Sequence, residues 1–154
     1  MKTVLQDSTP KCRGEFKIEV RRNGKIIDEW ADHNLVVDCG RCRLAELAAG
    51  FSTNSITQIG LGSGSDAEAE EDTELQDQQL FPLENISVDG RDAKFEFKIG
   101  ESQANGLSIR EFALFTSDDV MFSHRVRRDS ASGKVGVIDK FPDIEIVGYW
   151  LLHF

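Results

Sequence analysis

Apolar and polar side chains alternate along most of this chain, the period-two signature of strands with one buried face. In 15-EFKIEVRRNGKIIDEW-30, Phe16, Ile18 and Val20 alternate with charged residues, and a second strand runs from the turn to Trp30. Asn23-Gly24 between them supplies the positive φ angles of a two-residue hairpin. After 35-LVVD-38 the period changes over 39-CGRCRLAELAAG-50. There Leu44, Leu47 and Ala48 share one helical face, Asp38 is placed to accept from the first free amides, and Gly50 ends the helix.

The segment 55-SITQIGLGSG-64 predicts a strand entering a glycine turn, and the acidic run behind it predicts an exposed loop or a frayed helix. A strand over residues 86–88 precedes a second hairpin signal at Asp89-Gly90, and Ala93, Phe95, Phe97 and Ile99 then face one way. After the loop 100-GESQANG-106, alternation breaks in 107-LSIREFALF-115, where Phe112 and Leu114 oppose Leu107 and Ile109. Such a break predicts either a strand covered on both faces or a bulge. Val120, Phe122, His124 and Val126 alternate with Met121, Ser123, Arg125 and Arg127, and in 143-DIEIVGYWLLHF-154 the residues Ile144, Ile146, Trp150, Leu152 and Phe154 share a face. Roughly seven to nine strands with one short α-helix, punctuated by turn signals, predict an all-β fold, an antiparallel β-sandwich or jelly roll. The 154 residues suit one domain, with an N-terminal arm over 1–14 and a single sandwich domain over 15–154.

Charge sharpens this picture. The chain carries 27 acidic and 18 basic side chains, a net charge of -9, and the stretch from Asp66 to Asp77 holds seven carboxylates with no lysine or arginine. Outside it the chain is nearly neutral. The basic clusters Arg21-Arg22, Arg41-Arg43 and 124-HRVRR-128 are too short for the counterion release that drives nucleic-acid binding, so no nucleic-acid partner is expected. Ten Phe against two Trp and one Tyr suit a packed core better than a base-stacking platform. No apolar run approaches a membrane span and MKTVLQDSTPK lacks the apolar centre of a signal peptide, so the expected place of synthesis is the cytoplasm.

Among chemistry-bearing residues, Cys39 and Cys42 form a Cys-x-x-Cys at the predicted helix start, with Cys12 in the arm and His33 upstream. The readings open are a zinc site from Cys12, His33, Cys39 and Cys42, a redox pair, disulfides including one between chains through Cys12, or unpaired thiols. Zinc lacks the second closely spaced pair that marks a ribbon or finger, and no cofactor is expected. The 60-GLGSG-64 loop has neither the lysine nor the glycine spacing of a nucleotide loop, and Asp66, Glu68, Glu70 and Asp72 lack the glycine and terminal glutamate of a calcium loop. The histidines His33, His124 and His153 are scattered, no Gly-x-Ser-x-Gly occurs, and no catalytic team emerges. Glu111 stands in an apolar strand, where Arg110 or an interface neighbour is its expected partner.

Four segments in order, 34-NLVVDCGRCRLAELAAG-50, 56-ITQIGLGSGSDAEAEEDTEL-75, 106-GLSIREFALF-115 and 144-IEIVGYWLLHF-154, resemble small virion structural proteins of tailed bacteriophages, of the collar, neck or tail-fibre attachment type. In that family a strand and short helix lead to an I-x-x-I-x-L-G-x-G turn, a loop ending in Asp-Thr-x-Leu, and a Gly-hydrophobic-x-Ile-Arg-Glu-x-x-Leu-Phe strand. Here Gly60, Gly62 and Gly64 occupy the turn, and Ile109, Arg110, Glu111, Leu114 and Phe115 the strand. The acidic loop and the Cys-x-x-Cys depart from the pattern. The resemblance implies a non-enzymatic structural role in the virion, in a ring or trimer of identical copies that touches neighbouring neck, tail or fibre proteins. Arg125, Arg127 and Arg128 are then expected to meet Asp66, Glu68, Glu70, Glu71 and Asp72 between copies, with Cys12, Cys39 and Cys42 available for a disulfide. The alternative is a carbohydrate- or receptor-binding sandwich in which Trp30, Tyr149 or Trp150 stacks on a ligand.

Overall fold

The Asn23-Gly24 turn opens the fold as the sequence predicts, with φ of 51° and 76° between paired Arg22 and Lys25. The computed structural model describes residues 13–129 and 132–154, so Cys12 and almost all of the predicted arm lie outside the described residues. Arg13 and Gly14 already belong to a strand, paired with His153 and Leu152.

In chain order the described elements are β1 (Arg13–Arg22), β2 (Lys25–His33), β3 (Leu35–Val36), α1 (Asp38–Ala49), β4 (Ile56–Gly62), β5 (Gln79–Pro82), β6 (Asn85–Asp89), β7 (Asp92–Ile99), β8 (Ser108–Ile109), β9 (Glu111–Thr116), β10 (Met121–Val126), β11 (Ile138–Asp139) and β12 (Ile144–His153). All pairings are antiparallel. One sheet runs β2-β1-β12-β7-β6, a second runs β3-β10-β9-β4-β5, and β11 with β8 forms a small third. The strand count exceeds the sequence reading because β3, β8 and β11 are two residues each, too short to show a period.

The two large sheets press their inner faces together. Phe16, Ile18, Phe97, Ile99, Ile146, Trp150 and Leu152 from one meet Ile59, Leu61, Phe112, Leu114 and Phe122 from the other. Phe16 sits at the centre, its ring 4.6 to 5.9 Å from those of Trp150, Phe112, Trp30 and Phe97. Each such side chain contributes about 1.5–3 kcal/mol on leaving water. Phe154, at the end of the predicted apolar face, is exposed instead.

The break in alternation near residue 110 has two causes. The chain leaves one small sheet at Ile109 and enters another at Glu111, and β9 is buried along its whole length. Its inward residues Phe112 and Leu114 join the main core. Its outward residues Ala113 and Phe115 pack with Val37, Leu75 and Met121 in a second cluster. The second hairpin turns at Gly90-Arg91, one residue later than expected, because Asp89 pairs with Asp92 and the positive φ falls on Gly90.

The helix departs most from expectation. Its buried residues are Gly40 and Arg43; Leu44 and Leu47 are half-buried and Ala48 is exposed. Asp38 does not cap it: its amide donates to the Glu70 carbonyl at 2.8 Å, and its carboxylate lies 3.2 Å from Arg41. Gly40 turns inward because the helix lies against the β10 backbone, where a Cβ would stand 2.2 Å from the Phe122 carbonyl oxygen. Arg43 follows it, holding both Asp118 oxygens at 2.6 and 2.8 Å. This pair keeps the Asp118 carboxyl well below the usual carboxylate range, chiefly through the Arg43 hydrogen bonds and then that from Thr116. Gly40→Ala is expected to destabilise the fold by about 2 kcal/mol through overpacking, read as a lower urea midpoint at unchanged slope; an unchanged midpoint would contradict this helix seating.

Candidate functional site

Glu111 heads β9 on its outward face, opposite Gly62 of β4 and Val126 of β10. A carboxylate leaving water here needs charge-assisted partners on every side. The fold supplies them. Its Oε2 accepts from the Gly64 amide at 2.6 Å and the Gln76 amide at 3.0 Å, while Oε1 lies 2.8 Å from His124 Nε2. His124 Nδ1 in turn lies 2.8 Å from Asp72 Oδ2, which also accepts from the Ala69 amide at 2.8 Å. Glu111 and His124 are each only 4% exposed.

The glycine turn exists for this carboxylate. A Cβ at Gly62 or Gly64 would come within 2.7 or 2.3 Å of Glu111 Oε2, and one at Gly60 would strike the Phe115 ring at 2.4 Å. Bare backbone on that side of β4 also admits Leu75, which is buried against Phe115. With both ring nitrogens facing carboxylates, His124 donates twice as an imidazolium. Burial pulls its pKa down, but the hydrogen bonds to Glu111 and Asp72 outweigh that and leave it raised. A cavity of about 310 Å³ lined by Asp66, Asp72, Glu74 and Gln76 borders the pair.

The acidic run is a largely exposed irregular loop, as the sequence predicts, and it is tethered to its surroundings at several points. Glu68 accepts from the Val126 amide and pairs with Arg125 at 3.7 Å and Arg128 at 3.6 Å; Glu70 meets Arg41 at 3.3 Å; Asp77 accepts from the Ser63 hydroxyl at 2.5 Å. Asp66 and Glu71 remain exposed. Of the acids expected to meet Arg125, Arg127 and Arg128, Glu68 reaches Arg125 and Arg128 within the same chain. Arg125 further holds Asp32 at 2.6 Å and Arg127 holds Asp28 at 2.5 Å, tying the β10 end to β2 across the two sheets.

Glu111 is reassigned, since Arg110 turns away to the Ser63 carbonyl at 3.3 Å. Sequence reasoning named Glu111, His124 and Asp72 separately but missed their union. The available signal was a titratable residue within an apolar alternation on each of two strands, His124 between Phe122 and Val126 and Glu111 between Ile109 and Ala113. Cys39 and Cys42 are free thiols, one half-buried against the second cluster and the other exposed. Among the described residues no group of three or more His, Cys, Asp or Glu side chains is arranged to hold a metal ion, and His33 is exposed on β2. Trp150 is fully buried and Trp30 packs on the core, so neither is a free stacking surface. No helix among the described residues is long and apolar enough to cross a membrane.

No known protein family, curated protein or solved structure matches this chain.

Chemically, the network is a clamp. Both imidazole nitrogens are engaged, so the ring holds the two carboxylates together. Removing Glu111 strands a buried imidazolium and two amides, and Glu111→Ala is expected to cost about 3 kcal/mol in urea unfolding. A histidine whose folded pKa is raised stabilises the fold fully below its unfolded value, and that contribution is lost as pH rises through the folded value. The wild-type advantage over His124→Gln should therefore be largest near pH 6 and shrink toward pH 9; a constant difference would contradict the imidazolium clamp. Arg125→Glu should lower the monomer's own thermal stability, because its partners Asp32 and Glu68 belong to the same chain; an unchanged melting temperature would contradict it.

Proposed function

We propose that this chain is a structural protein of a tailed-phage virion, a collar, neck or tail-appendage subunit that works through protein contacts in a symmetric assembly. The observation carrying this reading is that the positions of the resemblance converge in space. The glycines Gly60, Gly62 and Gly64, the Asp72 and Leu75 of Asp-Thr-x-Leu, and the Glu111 and Phe115 of the Ile-Arg-Glu strand all lie at one closure, where a loop is sealed over a sheet. Residues that recur in order and meet at a seal point to a shared architecture, and His124 is bound into that seal with no nitrogen left for substrate.

Two sheet edges that are unpaired among the described residues support the assembly part. Strands β2 and β6 end the first sheet, and both carry exposed apolar residues, Ile26 and Ile27 on one and Ile86 and Val88 on the other. Such edges offer unpaired backbone groups and apolar side chains to a neighbouring chain. The chain should be found in purified phage particles at a fixed copy number by quantitative mass spectrometry. Its presence in the lysate with absence from the particles would contradict the reading.

A further inference from the structure

Arg110 is the member of the Ile-Arg-Glu strand that the seal does not use. Among the described residues, the other arginines that are not fully exposed, Arg21, Arg43, Arg125, Arg127 and Arg128, all form ion pairs with carboxylates. Arg110 is half-buried and has only the Ser63 carbonyl, at 3.3 Å. In a chain with nine more acidic than basic side chains, a half-covered guanidinium on a single carbonyl stands apart, because its planar fork suits a two-oxygen acceptor.

Arg110 opens on a cleft. Arg110 lines a cavity of about 530 Å³ together with Gln76, Asp77, Gln79, Asn105 and Ser108, between the glycine turn of β4 and the approach to β8. That volume falls within the range of small-ligand sites. Asn105 is already engaged, accepting from Lys140 Nζ at 2.9 Å, and Ser108 donates to Asp139 at 3.0 Å. No hydrogen bond within the described residues engages the side-chain amides of Gln76 and Gln79, so they remain available.

We propose that this cleft binds an acidic saccharide, a sugar unit bearing one carboxylate. The carboxylate takes the Arg110 fork. The carboxamides of Gln76 and Gln79 exchange hydrogen bonds with ring hydroxyls, and Asp77 accepts from a hydroxyl. One cation, one anion and neutral amides around a polar cleft match a sugar unit carrying one carboxylate and several hydroxyl donors. A glutamate peptide lacks the ring of hydroxyls that Gln76, Gln79 and Asp77 would engage.

The test is titration of the full chain, by calorimetry or NMR, with digalacturonate, its neutral dimethyl ester and triglutamate. Digalacturonate should bind in the millimolar range or tighter, and the ester at least tenfold more weakly. Arg110→Gln should lower digalacturonate affinity at least tenfold at an unchanged melting temperature, Arg110→Lys should retain part of it, and the exposed Arg91→Gln should leave it intact. Absence of digalacturonate binding, equal binding of the ester, or indifference to Arg110→Gln would overturn the site. Equal or tighter binding of triglutamate would overturn its assignment to a saccharide.

Discussion

A carboxylate buried on a strand that is covered on both faces is the constraint around which this molecule is arranged. Glu111 is enclosed on the outer side of the second sheet and is only 4% exposed. Each of its partners then makes a demand of its own. The backbone amides of Gly64 and Gln76 must approach, which excludes a side chain at Gly62 and Gly64. The imidazole of His124 must sit on the adjacent strand and carry a second proton, which requires a second acceptor, and Asp72 provides it from the acidic segment. Closing that segment brings Leu75 over Gly60 and Phe115, adding apolar burial to the polar closure.

A second set of charges follows from the same closure. Once the acidic segment lies along β10, Glu68 falls beside Arg125 and Arg128, while Asp32 and Asp28 reach across from β2. The two sheets are thus joined at this end by ion pairs and in the middle by the Phe16 ring cluster. Glu68 and Asp72 of the acidic run are bound locally, while Asp66, Glu70, Glu71, Glu74 and Asp77 stay exposed. Among the described residues the first sheet ends at β2 and β6, which carry exposed apolar side chains.

The sequence made the sandwich legible wherever one face alone is buried. Strands β1, β7 and β12 follow strict alternation, and the Asn-Gly turn has the residues that positive φ demands. It misled where a surface is covered by something non-local. The α1 helix was read by its leucines, but it packs by Gly40 against a carbonyl and by Arg43 against Asp118, contacts set by residues about 75 positions apart. The acidic run is largely exposed, as its polar composition predicts, but its placement is decided by backbone amides and arginines far along the chain. The Glu111 network was half visible: a charged residue in an apolar strand announces an interior partner without naming it, and Arg110 next door was the wrong one.

Hydrogen exchange at single-residue resolution tests the seal most directly. If the segment is clamped over the sheet through Glu111, the amides of Gly64 and Gln76 should exchange as slowly as those of β9 while the exposed amides between them, such as those of Ser65 and Glu71, exchange fast. Fast exchange at Gly64 and Gln76, matching their exposed neighbours, would contradict the account.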